Sequence, residues 1–447
     1  MCFFCDLGHA NPPCEIILQV ISKRRANCST AEGVRRHRTL FFAPYPVHLM
    51  LYVRPYKLLA LGKRIDYNAT MRGLYIHIPF CHGRCHYCNF ISIPDPDQAM
   101  RRRVLLALNE EMNEAQRRHG RLKFDTVYFG GGTPSILSFY EMKTLMNRIR
   151  DHFDIASDAE ITCEWNPGDG DGGKPALFQS LGVNRISLGC QSFQDELLER
   201  LGRRHTVRDI VETTAKIRKA GITNISFDLM LRLPDQTAED FRNAVVRCIE
   251  LEAAQVSLYD LEVHGGTPFG QFQKEGKLDL PGEEEHARMY ESAIEILTSA
   301  GYEHYEISNF SKPGLASRHN LIYWHNQEYL GLGPGAFSYL EGARYQFASD
   351  AERYLQKCET QDWRNDVCDK LSGEEQETES LVTGLRLREG VRPEHFRRIF
   401  SILKKKIEDL LREKLLEESR GRIRLTDRGR FLSESVFEFL LQKEEAV

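Results

Sequence analysis

Residues Tyr75 to Phe90 read YIHIPFCHGRCHYCNF and hold three cysteines, Cys81, Cys85 and Cys88, in a C-x3-C-x2-C run. Thiolates are soft ligands suited to zinc and to iron–sulfur clusters. A cubane cluster ordinarily takes four cysteines. Three on one short loop can hold three corners and leave one iron open, and a metal site with an open position is built for chemistry. Zinc is the rival, with His77, His82 or His86 as a fourth ligand, and a cysteine-rich loop without metal is the plain alternative. The run begins as a strand through Tyr75, Ile76 and Ile78 and breaks at Pro79, which has no N–H to give a ladder. The cysteines therefore fall on a loop at a strand's carboxyl end, where parallel sheets place their chemistry.

The elements that must position this loop follow in a regular alternation. A charged helix is expected over about 97–119, with Val104, Leu105, Leu108 and Met112 at three- and four-residue spacing and Gly120 as its stop. Strands are expected at 125–129, 160–164, 185–188, 222–229 and 256–259. Helical patterns lie between them at 137–152, 174–181, 195–201, 207–220 and 238–251. Strand–helix alternation means parallel strands with crossover helices. With the first strand this makes six βα units, an α/β barrel left incomplete, and the full eight-unit barrel is the fallback.

Polar residues recur at the carboxyl ends of these strands. Gly130, Gly131, Gly132 and Thr133 follow the second, where glycines let backbone approach a ligand closely; a tight turn is the plainer reading. Glu164, Gln191 and Asp228 end later strands, and Arg203 comes shortly after one. Each alone reads as a solvated loop residue. Together on one rim they suit a zwitterionic, ribose-bearing cofactor, because an acid can take an ammonium or ribose hydroxyls and Arg a carboxylate.

Composition is that of an ordinary globular chain: 447 residues, 41% hydrophobic, 28% charged and a net charge of −4. That balance gives no sign of nucleic-acid binding, and no apolar run is long enough to span a membrane. The 12 cysteines are many for a reduced compartment, but they suggest no disulfide framework, and a cytoplasmic setting is expected. Residues 1–70 differ, with ten Lys/Arg against four Asp/Glu and four cysteines in no repeating metal pattern. They are expected to be a disordered or non-native extension ahead of a natural start at Met71.

The cysteine run, its YIHIPFC flank and the trailing Asn89-Phe90 resemble the radical S-adenosylmethionine (SAM) superfamily. The likeness is to the branch that holds the oxygen-independent coproporphyrinogen III oxidases and the HemW-type heme chaperones. It runs from about Leu74 to the C-terminus, about five-sixths of the chain. It implies an incomplete (β/α)6 barrel, a [4Fe-4S] cluster on the three cysteines, and SAM chelating the open iron and cleaved by one electron. It also implies SAM contacts at Tyr75, Tyr87, Gly131, Gly132, Thr133, Glu164, Gln191, Arg203 and Asp228. One departure stands out: Arg232 and Asp235 replace two glycines of the family's loop after Asp228, which is expected to reshape that loop.

The carboxyl half extends the resemblance. His319-Asn320-Leu321-Ile322-Tyr323-Trp324 matches the H-N-x-x-Y-W motif of the chaperone branch. This implies heme near His319, Tyr323 and Trp324, with His304 and His325 as other candidate ligands and an ordinary core cluster as the alternative. The glycine loop from Gly331 to Gly335 is expected to return to the SAM site with Phe337 near adenine. The organisation expected is a core barrel at 71–275, an extension at 276–345, a polar connector at 346–372 and a helical, winged-helix-like module at 373–447. Lys404–Lys406 reads as a solvated face and not as a DNA-reading helix. Phe90 stands where the oxidases carry a fourth cysteine. With H-N-x-x-Y-W, this favours a chaperone that hands heme to an acceptor such as a membrane respiratory protein and draws on an electron donor. The oxidase, decarboxylating coproporphyrinogen III, is the alternative.

Overall fold

The computed structural model describes residues 70–169 and 173–442, so the expectations for residues 1–69 lie outside the described residues. Six parallel strands follow one another across the sheet: β1 (Gly73–Ile78), β2 (Lys123–Gly131), β3 (Asp154–Trp165), β4 (Arg185–Gln191), β5 (Asn224–Leu231) and β6 (Gln255–Asp260). Their crossovers are α1 (Gln98–His119), α2 (Phe139–His152), α3 (Lys174–Ser180), the pair α4 (Asp195–Arg200) and α5 (Val207–Lys219), and α6 (Ala238–Glu250). This is the incomplete six-unit barrel.

Helix starts follow local chemistry. Ser138/Glu141, Thr206/Asp209 and Thr237/Asp240 are reciprocal capping boxes that satisfy the first free N–H groups of α2, α5 and α6. The Asp97 side chain accepts from Met100 N to start α1.

The parallel set is extended at both edges. Strands β7 (Glu303–Glu306) and β8 (Asn309–Ser311) continue it antiparallel beyond β6. Beside β1 lie β9 (Tyr329–Leu332), which is parallel, then β10 (Phe337–Leu340), β11 (Ala343–Gln346) and β12 (Val367–Lys370), all antiparallel. Three further helices belong here: α7 (Pro268–Lys274), α8 (Glu283–Ser299) and the short α9 (Arg318–Trp324).

Period-two alternation sorts the strand side chains. Leu74, Ile76 and Ile78 face the helices and join the main apolar core with Leu108, Phe129, Met146, Ile186 and Phe227. The opposite face, inside the barrel, is polar and buried: Thr126, Glu160, Thr162, Arg185, Ser187, Ser226, Gln255 and Ser257. Several of these groups pair with one another, as in Ser226–Ser257 (3.1 Å) and Gln255–Asn309 (2.7 Å), while Thr162 Oγ1 and Arg185 Nε have no hydrogen-bond partner.

The stretch expected to be a polar connector is not one. It carries α10 (Ala351–Thr360), whose Tyr354, Leu355 and Cys358 enter the main core, and then β12. Glu111 of α1 ties this segment down. It accepts from Tyr354 Oη (2.8 Å) and from Gly333 N (2.7 Å), joining α1, α10 and the turn after β9. Helix α11 (Gly373–Leu385) opens with a Ser372/Glu375 capping box. It begins a second, smaller core with Ile399, Ile407, Leu410, Ile423, Val436 and Phe437, around a hairpin of Leu416–Ser419 and Arg422–Leu425. Lys406, expected on a solvated face, is buried and caps the last helix through Leu440 O at 3.3 Å and Gln442 O.

Burial pushes the Glu111 carboxyl up to about 7, against the opposing bonds from Gly333 and Tyr354. The folded chain thus holds this proton more tightly than the unfolded chain. Its contribution is full below about pH 4.5 and is lost as pH rises through about 7. Glu111→Gln is expected to flatten that loss by about 3 kcal/mol, checked by urea denaturation across a pH series.

Candidate functional site

The carboxyl ends of the barrel strands open into a cavity of about 460 Å3, and the cysteine loop forms one wall of it. His77 shapes that wall from beneath. Its Nε2 donates to Ile91 O (2.9 Å), just past the third cysteine, and its Nδ1 meets Tyr75 Oη (3.2 Å). Burial lowers His77 to about 4, with the Ile91 bond opposing, so the ring is a neutral brace with both nitrogens in use and is not offered as a metal ligand. His86 Nδ1 is likewise engaged, with Arg200 O at 2.8 Å.

Cys81, Cys85 and Cys88 line the cavity as free thiols. Burial raises Cys81, with a Thr133 hydrogen bond opposing, and pushes Cys88 up to about 12. Loading a metal here must therefore release protons. No three His, Cys, Asp or Glu side chains among the described residues gather tightly enough to hold a lone ion. Zinc would draw its thiolates to about 2.3 Å from one centre, whereas a cubane spreads them over separate irons. The donor set fits the cluster better. The Arg203 guanidinium approaches Cys85 Sγ (3.6 Å) and is itself fixed by Asn166 Oδ1 (2.8 Å) and Gly189 O (2.7 Å). It puts a fixed cation beside sulfurs that become anionic when they bind metal.

Two acids of the strand ends also line the cavity, Glu164 and Asp228. Glu164 accepts from Tyr128 Oη (2.9 Å) and Gly131 N (3.1 Å), and burial raises its carboxyl to about 7. Asp228 is held by Ser187 Oγ at 3.0 Å. Gln191 sits in the left-handed region at φ 65°, and its buried Oε1 has no hydrogen-bond partner. An unmet buried acceptor is costly, and strained backbone persists where its surroundings enforce it. Both mark Gln191 as a group shaped for a ligand's donor. Gly131, Gly132 and Thr133 reach the same cavity. The glycines also answer to packing: a Cβ on Gly131 would meet the His77 ring at 2.5 Å, and one on Gly132 would meet Phe80 O at 2.5 Å. Tyr75 and Tyr87 are buried behind this surface and do not line the cavity. Sequence reasoning missed Asn166, which bridges Thr133 (3.0 Å) and Arg203, and Ser187. The only signal for Ser187 was its place on the lumen face of β4.

Three expectations change. Arg232 and Asp235 adopt left-handed φ of 62° and 61°, so the loop keeps glycine-like backbone at the expense of strain. Asp235 is paired to Arg200, and Arg232 Nε reaches Pro281 O at 3.3 Å. Phe337 is fully buried in a satellite core with Tyr323 and Tyr329 and does not reach the cavity.

The third change is His319, which closes the opposite end of the barrel. Glu160 accepts from His319 N (3.0 Å) and Arg318 N (3.1 Å), seating α9 beneath the strands. The His319 ring stacks on Tyr128, with Nδ1 at 2.7 Å from Thr126 Oγ1 and Nε2 at 2.9 Å from Tyr323 Oη. Burial, and then the Arg185 cation, hold it neutral at about 3. Thr126 and Gly131 are five positions apart, roughly 16 Å along a strand, so His319 is far from the cysteine rim. Trp324 packs under the Arg386 guanidinium at 4.3 Å. Within the motif, the His319 ring nitrogens and the Tyr323 hydroxyl are engaged inside the fold.

The comparisons with known proteins agree with this geometry. Residues 75–248 match the Radical SAM superfamily and residues 371–432 match the HemN C-terminal domain. The heme chaperone HemW of Lactococcus lactis is 39% identical over 373 residues, covering 82% of this chain and 97% of that protein. The chain belongs to the HemW family. The Bacillus subtilis HemW is 35% identical over 82% of this chain and 98% of its own. A Bos taurus protein, radical S-adenosyl methionine domain-containing protein 1, mitochondrial, is 35% identical over 72% of this chain and 75% of its own. The structure of coproporphyrinogen III oxidase from Escherichia coli superposes with a TM-score of 0.73, covering 85% of this chain and 93% of that one at 22% identity. HemW proteins and that oxidase thus share the radical SAM fold.

Two outcomes test the site. Cys85→Ser is expected to drop iron from about four per chain to near zero, read by iron analysis after anaerobic reconstitution. His319→Ala is expected to lower stability by about 2–4 kcal/mol, since it opens a hole and strands the Thr126 and Tyr323 hydroxyls. Iron content at equal folded fraction should not change.

Proposed function

We propose that this chain is a heme chaperone, binding heme and passing it to an acceptor protein. The reading is carried by the 39% identity, across nearly the whole of that relative, to a protein named for this activity. In it Cys81, Cys85 and Cys88 hold a [4Fe-4S] cluster, and an exchangeable SAM lies against Gly131, Gly132, Thr133, Glu164, Gln191, Arg203 and Asp228. Tyr75 and Tyr87 support that surface from behind. Cluster and SAM together would supply one-electron reductive chemistry. The chain's own part is to exclude water, set the rim charges and orient the cofactor. Glu164, whose carboxyl burial raises to about 7, would be held charged beside a ligand ammonium, and Arg203 would face a carboxylate.

The oxidase reading is disfavoured by Phe90, which lines the cavity where a fourth thiol would stand. An electron donor and a heme acceptor, such as a respiratory protein of a membrane, complete the scheme. None of the described helices is long and apolar enough to cross a membrane. A cytoplasmic setting suits eight described cysteines that are all unpaired. Hemin titrated into the anaerobically reconstituted protein should give a saturable Soret change. Coproporphyrinogen III with SAM and reductant should give no decarboxylation; turnover, or the lack of any hemin binding, would overturn the reading.

A further inference from the structure

One side chain of the cavity holds two others that reach cysteine sulfurs. Asn166 follows directly on β3, at the carboxyl end of the barrel. Its Nδ2 donates to Thr133 Oγ1 at 3.0 Å, and its Oδ1 accepts from Arg203 Nη2 at 2.8 Å. Thr133 Oγ1 lies 3.5 Å from Cys81 Sγ, and Arg203 Nη1 lies 3.6 Å from Cys85 Sγ. A continuous hydrogen-bonded path thus runs from one thiol to the other through a single amide. It joins the cysteine loop, the turn after β2, the turn after β3 and the segment after α4.

The chemistry of each group fixes the direction of this path. A guanidinium only donates, so the amide oxygen must face Arg203 and the amide NH2 must face Thr133. Thr133 Oγ1 then accepts from Asn166, and its own proton is left for Cys81. A thiolate holding iron only accepts, so Thr133 and Arg203 both donate to sulfur when the site is loaded. The Asn166 backbone is itself pinned. Its N–H donates to Ser135 Oγ (3.3 Å), and its carbonyl accepts from Asp169 N (3.1 Å). Gly189 leaves room for the junction, since a Cβ there would meet Arg203 Nη2 at 3.0 Å and Asn166 Oδ1 at 3.3 Å.

We infer that Asn166 is a positioning residue for the cysteine-held cluster: it aims the Thr133 hydroxyl at Cys81 and the Arg203 guanidinium at Cys85, and so sets how readily the cluster takes up an electron. The inference rests on the [4Fe-4S] reading of Cys81, Cys85 and Cys88, and it names the group that orders the donors to two of the three sulfurs. Hydrogen bonds to cluster sulfurs and nearby charge set a cluster's reduction potential. An added electron makes the sulfurs more negative, so donors aimed at them favour the reduced form. An amide serves here where a carboxylate would not. It offers Arg203 an acceptor and Thr133 a donor, whereas a carboxylate would take the Thr133 proton for itself.

The test is a redox titration of the anaerobically reconstituted full chain without SAM, followed by EPR, with iron content measured alongside. Asn166→Ala should keep about four irons per chain. It should shift the reduction equilibrium against the reduced form about tenfold, about 59 mV for one electron. Thr133→Val should give a smaller shift in the same direction, and Thr133→Ser, which keeps the hydroxyl, should give none. Adding Thr133→Val to Asn166→Ala should shift nothing further, because the hydroxyl is already unaimed. If Asn166→Ala loses iron, Asn166→Asp is the second variant, and Thr133→Val added to it should again change nothing. A wild-type potential in Asn166→Ala, or a Thr133→Val shift that persists in full in either background, overturns the inference and leaves the cluster reading standing. A wild type that takes up no iron removes both.

Discussion

The central constraint on this fold is that the inside of its barrel is polar and must satisfy itself. A buried hydroxyl, amide or charge left unmet costs about 1–3 kcal/mol or more. Strands β1 to β6 place polar side chains inward through most of their length, so partners must come from within. Ser226 meets Ser257, Gln255 meets Asn309, and Ser187 meets Asp228. At the floor, Glu160 receives the N-terminus of α9, and His319 joins Thr126 to Tyr323. Thr162 Oγ1 and Arg185 Nε stay unmet within the barrel, and at the rim so does Gln191 Oε1, in the same cavity as the three thiols.

Glu164, Asp228 and Asp169 share the cavity with the cysteines, and Arg203 stands beside Cys85, tied to Asn166 and Gly189. A ligand with both a cation and an anion can meet both demands at once, and a low-dielectric wall strengthens each contact. Left-handed backbone occurs after these strands at Gln191, Arg232 and Asp235, as it does in turns elsewhere in the fold.

The carboxyl-terminal module is joined to the barrel by buried charge as well as by apolar packing, as where Phe431 meets Tyr290. Arg386 pairs with Glu306 while stacking on Trp324, and Arg344 pairs with Glu379 at 2.9 Å while donating to Tyr329 Oη at 2.7 Å. Breaking a buried pair strands its partner, which costs far more than losing a surface pair. Such contacts specify one docking geometry.

Much of this was legible in the residues alone. The βα rhythm, the six strands and the rim positions of Glu164, Gln191 and Asp228 follow from periodicity, from caps such as Asp97, Thr206 and Thr237, and from breakers such as Pro79, all encoded within a few residues. The helix at 351–360 was hidden because its apolar face is short and its surroundings are polar. It is held by Glu111, 243 residues away from Tyr354 in the chain. Local pattern determined the elements and the order in which they run. Only tertiary packing decided that His319 is a floor bolt, that Phe337 is core and that Lys406 is a cap. A side chain's chemistry is set by what surrounds it, and those neighbours come from distant parts of the chain.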